Sequence, residues 1–303
     1  MRAIWVSLVA VRCLSMALLG VLIFSLKLSR VAAERETHMK KLMFAAAAIA
    51  AGVALADISS ANVVGYYNVA VKAGKFSMVA LNIAPMTTTK EFTLDELFPY
   101  NAQVAASTAS GSADQIQCWD YEKQTYRFFF MWKKLVKGQP DAKTYHWVEN
   151  ISGNPLSDVK VKAGDAVFYY AKSNDNTFSI PGQVPNEAAG VLKQGFNMIG
   201  VGFPAQWNPN DAGTDYWKNS NFASSTASGS ADQIQYWDNE KQGYRFYFLW
   251  KKLVKGQPDA KTYKWVENIS GNPVLETPLA TGEGFFYYRK NAGEIEFKPG
   301  LKL

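Results

Sequence analysis

The alternation of apolar and polar positions along this chain is that of short strands. Val63 to Val71, Phe76 to Ile83, Gln115 to Trp119, Tyr126 to Leu135, Tyr145 to Glu149 and Ala166 to Ala171 are rich in Val, Ile, Tyr, Phe and Trp. Gly, Asn, Asp and Pro bound them, which is the composition of a pleated, half-buried surface. The clearest helix signal is Thr93-Leu94-Asp95-Glu96-Leu97, where Thr93 can cap a single turn that Pro99 stops. In IQCWD-YEKQT-YRFFF and IQYWD-NEKQG-YRFYF, five turn-type residues separate two strand runs. This predicts a hairpin whose turn ends in a positive-φ residue at Gly243, a role that Thr125 fills less well in the other copy.

Those two hairpins belong to a longer repeat. Ser107 to Pro155 aligns without gaps on Ser225 to Pro273 at an offset of 118, with six of 49 positions different: Cys118/Tyr236, Tyr121/Asn239, Thr125/Gly243, Phe129/Tyr247, Met131/Leu249 and His146/Lys264. Fainter matches flank it. AGDAVFYYAK at 163–172 answers TGEGFFYYRK at 281–290, and GKFSMVALNIAP at 74–85 answers QGFNMIGVGFP at 194–204. Val64-Gly65, Pro181-Gly182 and Pro299-Gly300 recur at spacings of 117 and 118, which suggests that a strand closing one unit also opens the next. The expected fold is all-β: two tandem homologous β-sandwich or open-barrel units, 57–185 and 186–303, joined near Pro185 and preceded by a signal segment.

Residues 39–56 read as a signal peptide: Lys40 and Lys41, an apolar run from Leu42 to Leu55, and the small-residue site Ala54-Leu55-Ala56. Asp57 is the expected mature N-terminus, and since it is not cysteine a lipid anchor is disfavoured. Residues 1–38 hold a shorter apolar run from Leu14 to Leu26, interrupted relative to the roughly 20 residues of a membrane helix. They read as a leader called from a start codon too far upstream, with a signal anchor as the alternative. The expected location is extracellular or on the cell surface, the periplasm being the other compartment open to it. No transmembrane segment is expected in the mature chain, and FKPGLKL at the end reads as neither a hydrophobic anchor nor a basic cluster.

Setting the leader aside changes the charge. The formal charge of +6 falls to +1, because residues 1–56 carry seven Lys and Arg against two acids. A near-neutral chain lacks the basic field that nucleic-acid binding needs, so nucleic acid is not an expected partner. Cys13 goes with the leader and leaves Cys118 alone; its counterpart is Tyr236, so Cys118 is read as a small apolar strand residue.

Catalytic machinery is sparse. The mature chain has one histidine, His146, replaced by Lys264 in the second copy, which removes a repeated His-based metal site or Ser-His relay. Asp114/Asp232, Asp120/Asp238, Glu122/Glu240 and Glu149/Glu267 recur. Paired acids could serve glycoside hydrolysis across a cleft, but Asp120 and Glu122 fall at a hairpin tip, and Asp114 precedes a strand. NPNDAGTD at 208–215 lacks the carboxylates of a calcium loop and reads as a polar loop. The sequons at Asn150 and Asn268 read as incidental beside a bacterial-type leader. No catalytic residue, metal or cofactor is expected.

Aromatics are the more suggestive chemistry. Trp119/Trp237, Trp132/Trp250 and Trp147/Trp265 are matched, and roughly half should face a core. WKKLVKGQPDAKTY occurs unchanged at 132–145 and 250–263. Read as a basic loop, it offers a ligand site of Trp132, Lys133, Lys134 and Tyr145, repeated as Trp250, Lys251, Lys252 and Tyr263, for acidic glycan ahead of nucleic acid. A recent copying event within the gene is the competing explanation of its invariance.

With VVGYYNVAVKAGKFSMVALNIAP, ADQIQxWD, YRF and the closing PG strand, residues 62–303 resemble a group of exported repeat proteins of Planctomycetes, Verrucomicrobia and Lentisphaerae. More loosely, Gly195-Phe196-Asn197-Met198-Ile199 and Gly282-Glu283-Gly284-Phe285-Phe286-Tyr287 resemble the GWNLI…GxGYWV modules of bacterial surface proteins. Asp165-Ala166 departs from that glycine-rich pattern, and the WKKLVKGQPDAKTY tract is longer than the group implies. These are fold motifs and carry over no catalytic residue. The reading that follows from the whole sequence is a structural or adhesive component of the cell surface or matrix, with glycan or other surface proteins as expected partners. A carbohydrate-binding module, with Trp132, Tyr145, Trp250 and Tyr263 stacking on sugars, is the alternative.

Overall fold

Phe76, Met78 and Ala80 sit at every second position of a predicted strand, so they share one face. In the computed structural model that face meets its counterpart, Phe196 and Met198, in a common apolar cluster. The structure describes residues 64–86, 91–137, 139–185, 190–276 and 278–298. The upstream segment 1–38, the signal peptide 39–56, Asp57 and Pro299-Gly300 lie outside the described residues.

The architecture is mostly β, as expected. In chain order the strands are β1 (Val64–Val71), β2 (Phe76–Ala80), β3 (Phe92–Thr93), β4 (Gln115–Asp120), β5 (Thr125–Val136), β6 (Gln139–Glu149), β7 (Lys160–Val161), β8 (Ala166–Tyr170) and β9 (Asn176–Gln183), followed by β10 (Gly190–Ile199), β11 (Gln233–Asp238), β12 (Gly243–Val254), β13 (Gln257–Glu267) and β14 (Phe285–Phe297). One five-stranded sheet has the order β2-β8-β4-β5-β6 and the other β10-β14-β11-β12-β13; β1-β9 and β3-β7 form two-stranded ribbons, and among the described residues no sheet closes on itself. Every ladder is antiparallel.

Two helices are short. In α1 (Leu94–Leu97) the Thr93 side chain accepts from the Glu96 N–H while the Glu96 carboxylate accepts from the Thr93 N–H, a full capping box. The expected polar loop at 208–215 instead forms a 3-10 turn, Pro209–Ala212, and α2 (Gly213–Trp217). Asn208 starts it by accepting from the Asn210 N–H, and the apolar anchor Trp217, two residues past the loop's end, is buried beneath it.

Each five-stranded sheet has two apolar faces. The inner face of the first, with Ile116, Phe129, Met131, Trp147 and Tyr169, packs on Val69, Val71, Phe178 and Ile180 of the β1-β9 ribbon and on Leu94 and Leu97 of α1. The second sheet buries Ile234, Tyr247, Leu249, Trp265 and Tyr287 with Trp207, Trp217 and Phe297. The outer faces share the third cluster. Aromatics on both sides of β5 and β12 are thereby explained in part: each strand buries residues on both faces, while Phe128 and Phe246 stay exposed.

Two sequence expectations are corrected. The positive φ of the hairpin turn falls on Gln124 and Gln242, both at 52°, one residue before Thr125 and Gly243; those two positions begin β5 and β12 in ordinary extended backbone, so Thr and Gly exchange freely. The recurring glycine seams do not mark a shared strand. Gly65 pairs with Gly182 across the β1-β9 ribbon, whereas β10 pairs with β14, so the matched seams are partners within one ladder.

Candidate functional site

WKKLVKGQPDAKTY is not a loop. It is the distal half of the β5-β6 and β12-β13 hairpins, paired up to Val136 with Gln139 and Val254 with Gln257, with an irregularity one residue earlier. Pro140 and Pro258 are tolerated because β6 and β13 are edge strands. Among the described residues, the side of β6 that faces away from β5 is covered near its end, where Asp95 accepts from the Trp147 N–H (2.8 Å) and the Glu149 N–H donates to the Pro155 carbonyl (3.0 Å). Asn210 and Pro273 do the same for Trp265 and Glu267.

Strand alternation divides the expected ligand residues. Trp132 and Lys134 share one face; the Lys134 ammonium lies 5.3 Å from the Trp132 ring centre, and Lys252 lies 5.2 Å from that of Trp250. Both indoles are half-buried, Trp132 over Ala113, Phe130 and Val148, Trp250 over Ala231, Phe248 and Val266. Lys133 and Tyr145 are directly opposite one another on the other face, as are Lys251 and Tyr263. Tyr145 stacks on Tyr100 at 3.6 Å between ring centres, and Tyr263 packs on the second core. The four residues of each copy therefore do not form one platform: a half-buried indole under an exposed lysine remains, and both tyrosines are held in packing.

Three of the four recurring carboxylate pairs are occupied; Glu122 and Glu240 contribute only their backbone N–H groups, at the exposed hairpin tips. Asp114 is buried and accepts from the Tyr169 hydroxyl and the Lys172 N–H, both at 2.7 Å. Asp232 does the same with Tyr287 and Lys290, both at 2.8 Å. Burial pushes both carboxyls up, against those hydrogen bonds. Asp120 and Asp238 accept from backbone N–H groups of their own turns, which hold them below the usual carboxylate range. Glu149 takes a two-point contact from Arg127, and Glu267 one from Arg245. His146, half-exposed, contacts Asp95 at 3.1 Å. Cys118 is a buried strand residue whose thiol is pushed up by desolvation. Among the described residues no group of three or more His, Cys, Asp or Glu could hold a metal, and no helix is long and apolar enough to cross a membrane.

What local sequence reading missed is the joint between the two large sheets, where contacts come in reciprocal pairs. The Trp119 indole N–H donates to the Phe196 carbonyl (2.9 Å), and that of Trp237 to the Phe76 carbonyl (3.2 Å). The Gln124 amide accepts from the Phe196 N–H (2.7 Å) and donates to its carbonyl (3.2 Å); Gln242 does so with Phe76 at 2.8 and 2.9 Å. Trp119 meets Phe286 edge-on at 5.2 Å, as Trp237 meets Phe168. Backbone bridges join Val79 to Glu283 and Asp165 to Ile199. The signal was present in the sequence: every one of these side chains has its match in the other copy. No family model matches the chain, and neither a curated protein nor a solved structure matches it.

Proposed function

We propose that the protein is an exported, non-enzymatic structural or adhesive component of the cell surface or matrix, built from two homologous β units, 57–185 and 186–303, after a signal peptide. The observation that carries this reading is the engagement of the side chains with catalytic potential. Asp114, Asp120, Glu149 and their counterparts each hold a turn, a strand end or an arginine, and most of the repeated aromatics are spent on packing between and beneath sheets. Such a molecule presents a rigid surface and makes no bonds.

Cell fractionation with N-terminal sequencing tests the address: a mature chain beginning at Asp57 outside the cytoplasm is expected, and an uncleaved cytoplasmic chain rules it out. A protease site inserted after Pro185 tests the two-unit arrangement. Both halves should stay folded and together after cleavage; unfolding on nicking rules it out.

The Trp132-Lys134 and Trp250-Lys252 pairs favour a second reading, a carbohydrate-binding module for acidic glycans. Among the described residues, none of Lys133, Lys134, Lys251 and Lys252 is in an ion pair, so their charge is free to meet a ligand. A glycan array with the double variant Trp132→Ala, Trp250→Ala decides it: binding lost in the variant supports the module, and a blank array with the parent protein removes it.

A further inference from the structure

The reciprocal contacts at the joint have the form of an isologous interface, in which one patch meets its own copy. Positions on the axis of such an interface face their own equivalents. Tyr126 faces Tyr244, hydroxyl to hydroxyl at 3.5 Å. The same relation holds at two further places, where the residues differ. Ala80 corresponds to Gly200, and Ala166 to Gly284. A methyl added at Gly200 would lie 2.2 Å from the Ala80 Cβ, and one at Gly284 would lie 2.8 Å from both the Ala166 Cβ and the Met78 Cγ.

All four residues are buried, and backbone hydrogen bonds tie the segments that carry them: Ala80 N–H to Gly282 at 2.9 Å, Gly200 N–H to Gly164 at 2.9 Å, Gly284 N–H to Met78 at 3.4 Å. The backbones have no freedom to part without losing these bonds. Neither Gly200 nor Gly284 has a positive φ, so the backbone conformation itself does not demand glycine there. Space does.

We propose that these two positions key the joint: the first unit accepts the second and rejects a copy of itself. Paired with its own copy, the first unit would set Ala80 against Ala80 and Ala166 against Ala166 at distances that methyl groups do not reach. The second unit paired with its own copy would set glycine against glycine and leave gaps where Ala80 and Ala166 now fit. Only the unlike pairing fills the axis without collision. The partner this surface fits is the other half of this chain, and any association between chains through it must join a first unit to a second.

The proposal rests on the two-unit reading above. Its test is an exchange of knob and hole in the full-length chain. Gly200→Ala with Gly284→Ala places methyls on both sides, and the melting midpoint should fall by roughly 5 °C or more. Adding Ala80→Gly and Ala166→Gly to that variant moves the methyls across the axis, and the midpoint should return to within roughly 2 °C of the parent, the scale of a small residual packing change. A first variant that melts like the parent overturns the proposal. So does a fourfold variant that melts as low as the first, because the loss would then be local to 200 and 284. The nicking experiment at Pro185 reads the two-unit arrangement separately, so an intact pair of halves with a failed exchange removes the key and keeps the units.

Discussion

The hydroxyls of Tyr126 and Tyr244 lie 3.5 Å apart, each on the second residue of its own strand, β5 and β12. Burial pushes both phenols up, so the pair stays neutral across the working range. At that separation the contact is at the limit of a hydrogen bond, and its energetic weight is small. The glutamines two residues earlier bind at normal distances. Tyr126→Phe with Tyr244→Phe should therefore change stability by less than about 0.5 kcal/mol, whereas Gln124→Ala and Gln242→Ala should each cost about 1 kcal/mol. Urea unfolding of the three variants checks the ranking; hydroxyl loss more costly than amide loss would show that the joint is held at its axis and not at its flanks.

Asp165 makes the joint sensitive to pH. Its carboxylate lies half-buried beside Tyr121 and Ile199, in a cleft that Lys162, Lys193 and Glu91 also line. Desolvation pushes it up to about 6, opposed by the Lys162 N–H and the Lys162 charge and assisted by Glu91. A carboxyl whose folded pKa lies above its unfolded one stabilises the fold fully below about pH 4 and loses that contribution as pH rises through about 6. Because the cleft is open to solvent, that contribution is about 1 kcal/mol after screening. Asp165→Asn keeps an acceptor for Lys162, so it should match the parent at pH 4 and exceed it at pH 7.5 by about 1 kcal/mol. Equal stability of the two proteins at both pH values would remove the argument.

The buried tyrosine-aspartate contacts predict a matched pair of losses. Tyr169→Phe and Tyr287→Phe each withdraw one hydroxyl from a buried carboxylate that keeps its backbone donors. Hydrogen bonds to charged groups of this kind are worth about 1.5–3 kcal/mol. Each substitution should lower the unfolding free energy by that amount, read as a lower urea midpoint with the slope unchanged, and the two should cost nearly the same. A loss in one alone would mean that one of the two carboxyls is neutral in the fold.

The hairpins, the α1 cap and the exchangeable strand residue Cys118 were legible in the sequence because each is specified by neighbours a few positions apart. Thr93 and Glu96 cap one turn, and Asp120 accepts from Glu122 and Lys123. The joint was legible only in part, since the matched Trp119 and Trp237 announced a repeat without saying that each would reach the carbonyl of the other half's Phe196 or Phe76. Sequence spacing of 77 and 161 residues carries no local pattern. The WKKLVKGQPDAKTY tract misled for a related reason: Lys, Gly, Pro and Asp in series compose a loop, yet its second half pairs with β5 and β12 as the edge strands β6 and β13, where proline and charge are tolerated.

Trp147 and Trp265 occupy matched, fully buried positions, yet only one is satisfied. The Trp147 indole N–H donates to the Phe98 carbonyl at 2.9 Å; that of Trp265 has no partner among the described residues. The cause lies in the flanks, where α1 and Phe98 in one half give way to Pro209–Ala212 and α2 in the other, and there Trp217 donates to Pro209. Replacing either indole by phenylalanine removes a similar area from a close-packed site. Trp147→Phe also strands the Phe98 carbonyl, whereas Trp265→Phe relieves a buried donor of its missing partner. Trp265→Phe should therefore be the milder change by about 1–2 kcal/mol. Equal costs in parallel urea titrations would mean that the Trp265 donor is satisfied in solution, and that the second half holds a bonding group or water beneath β13.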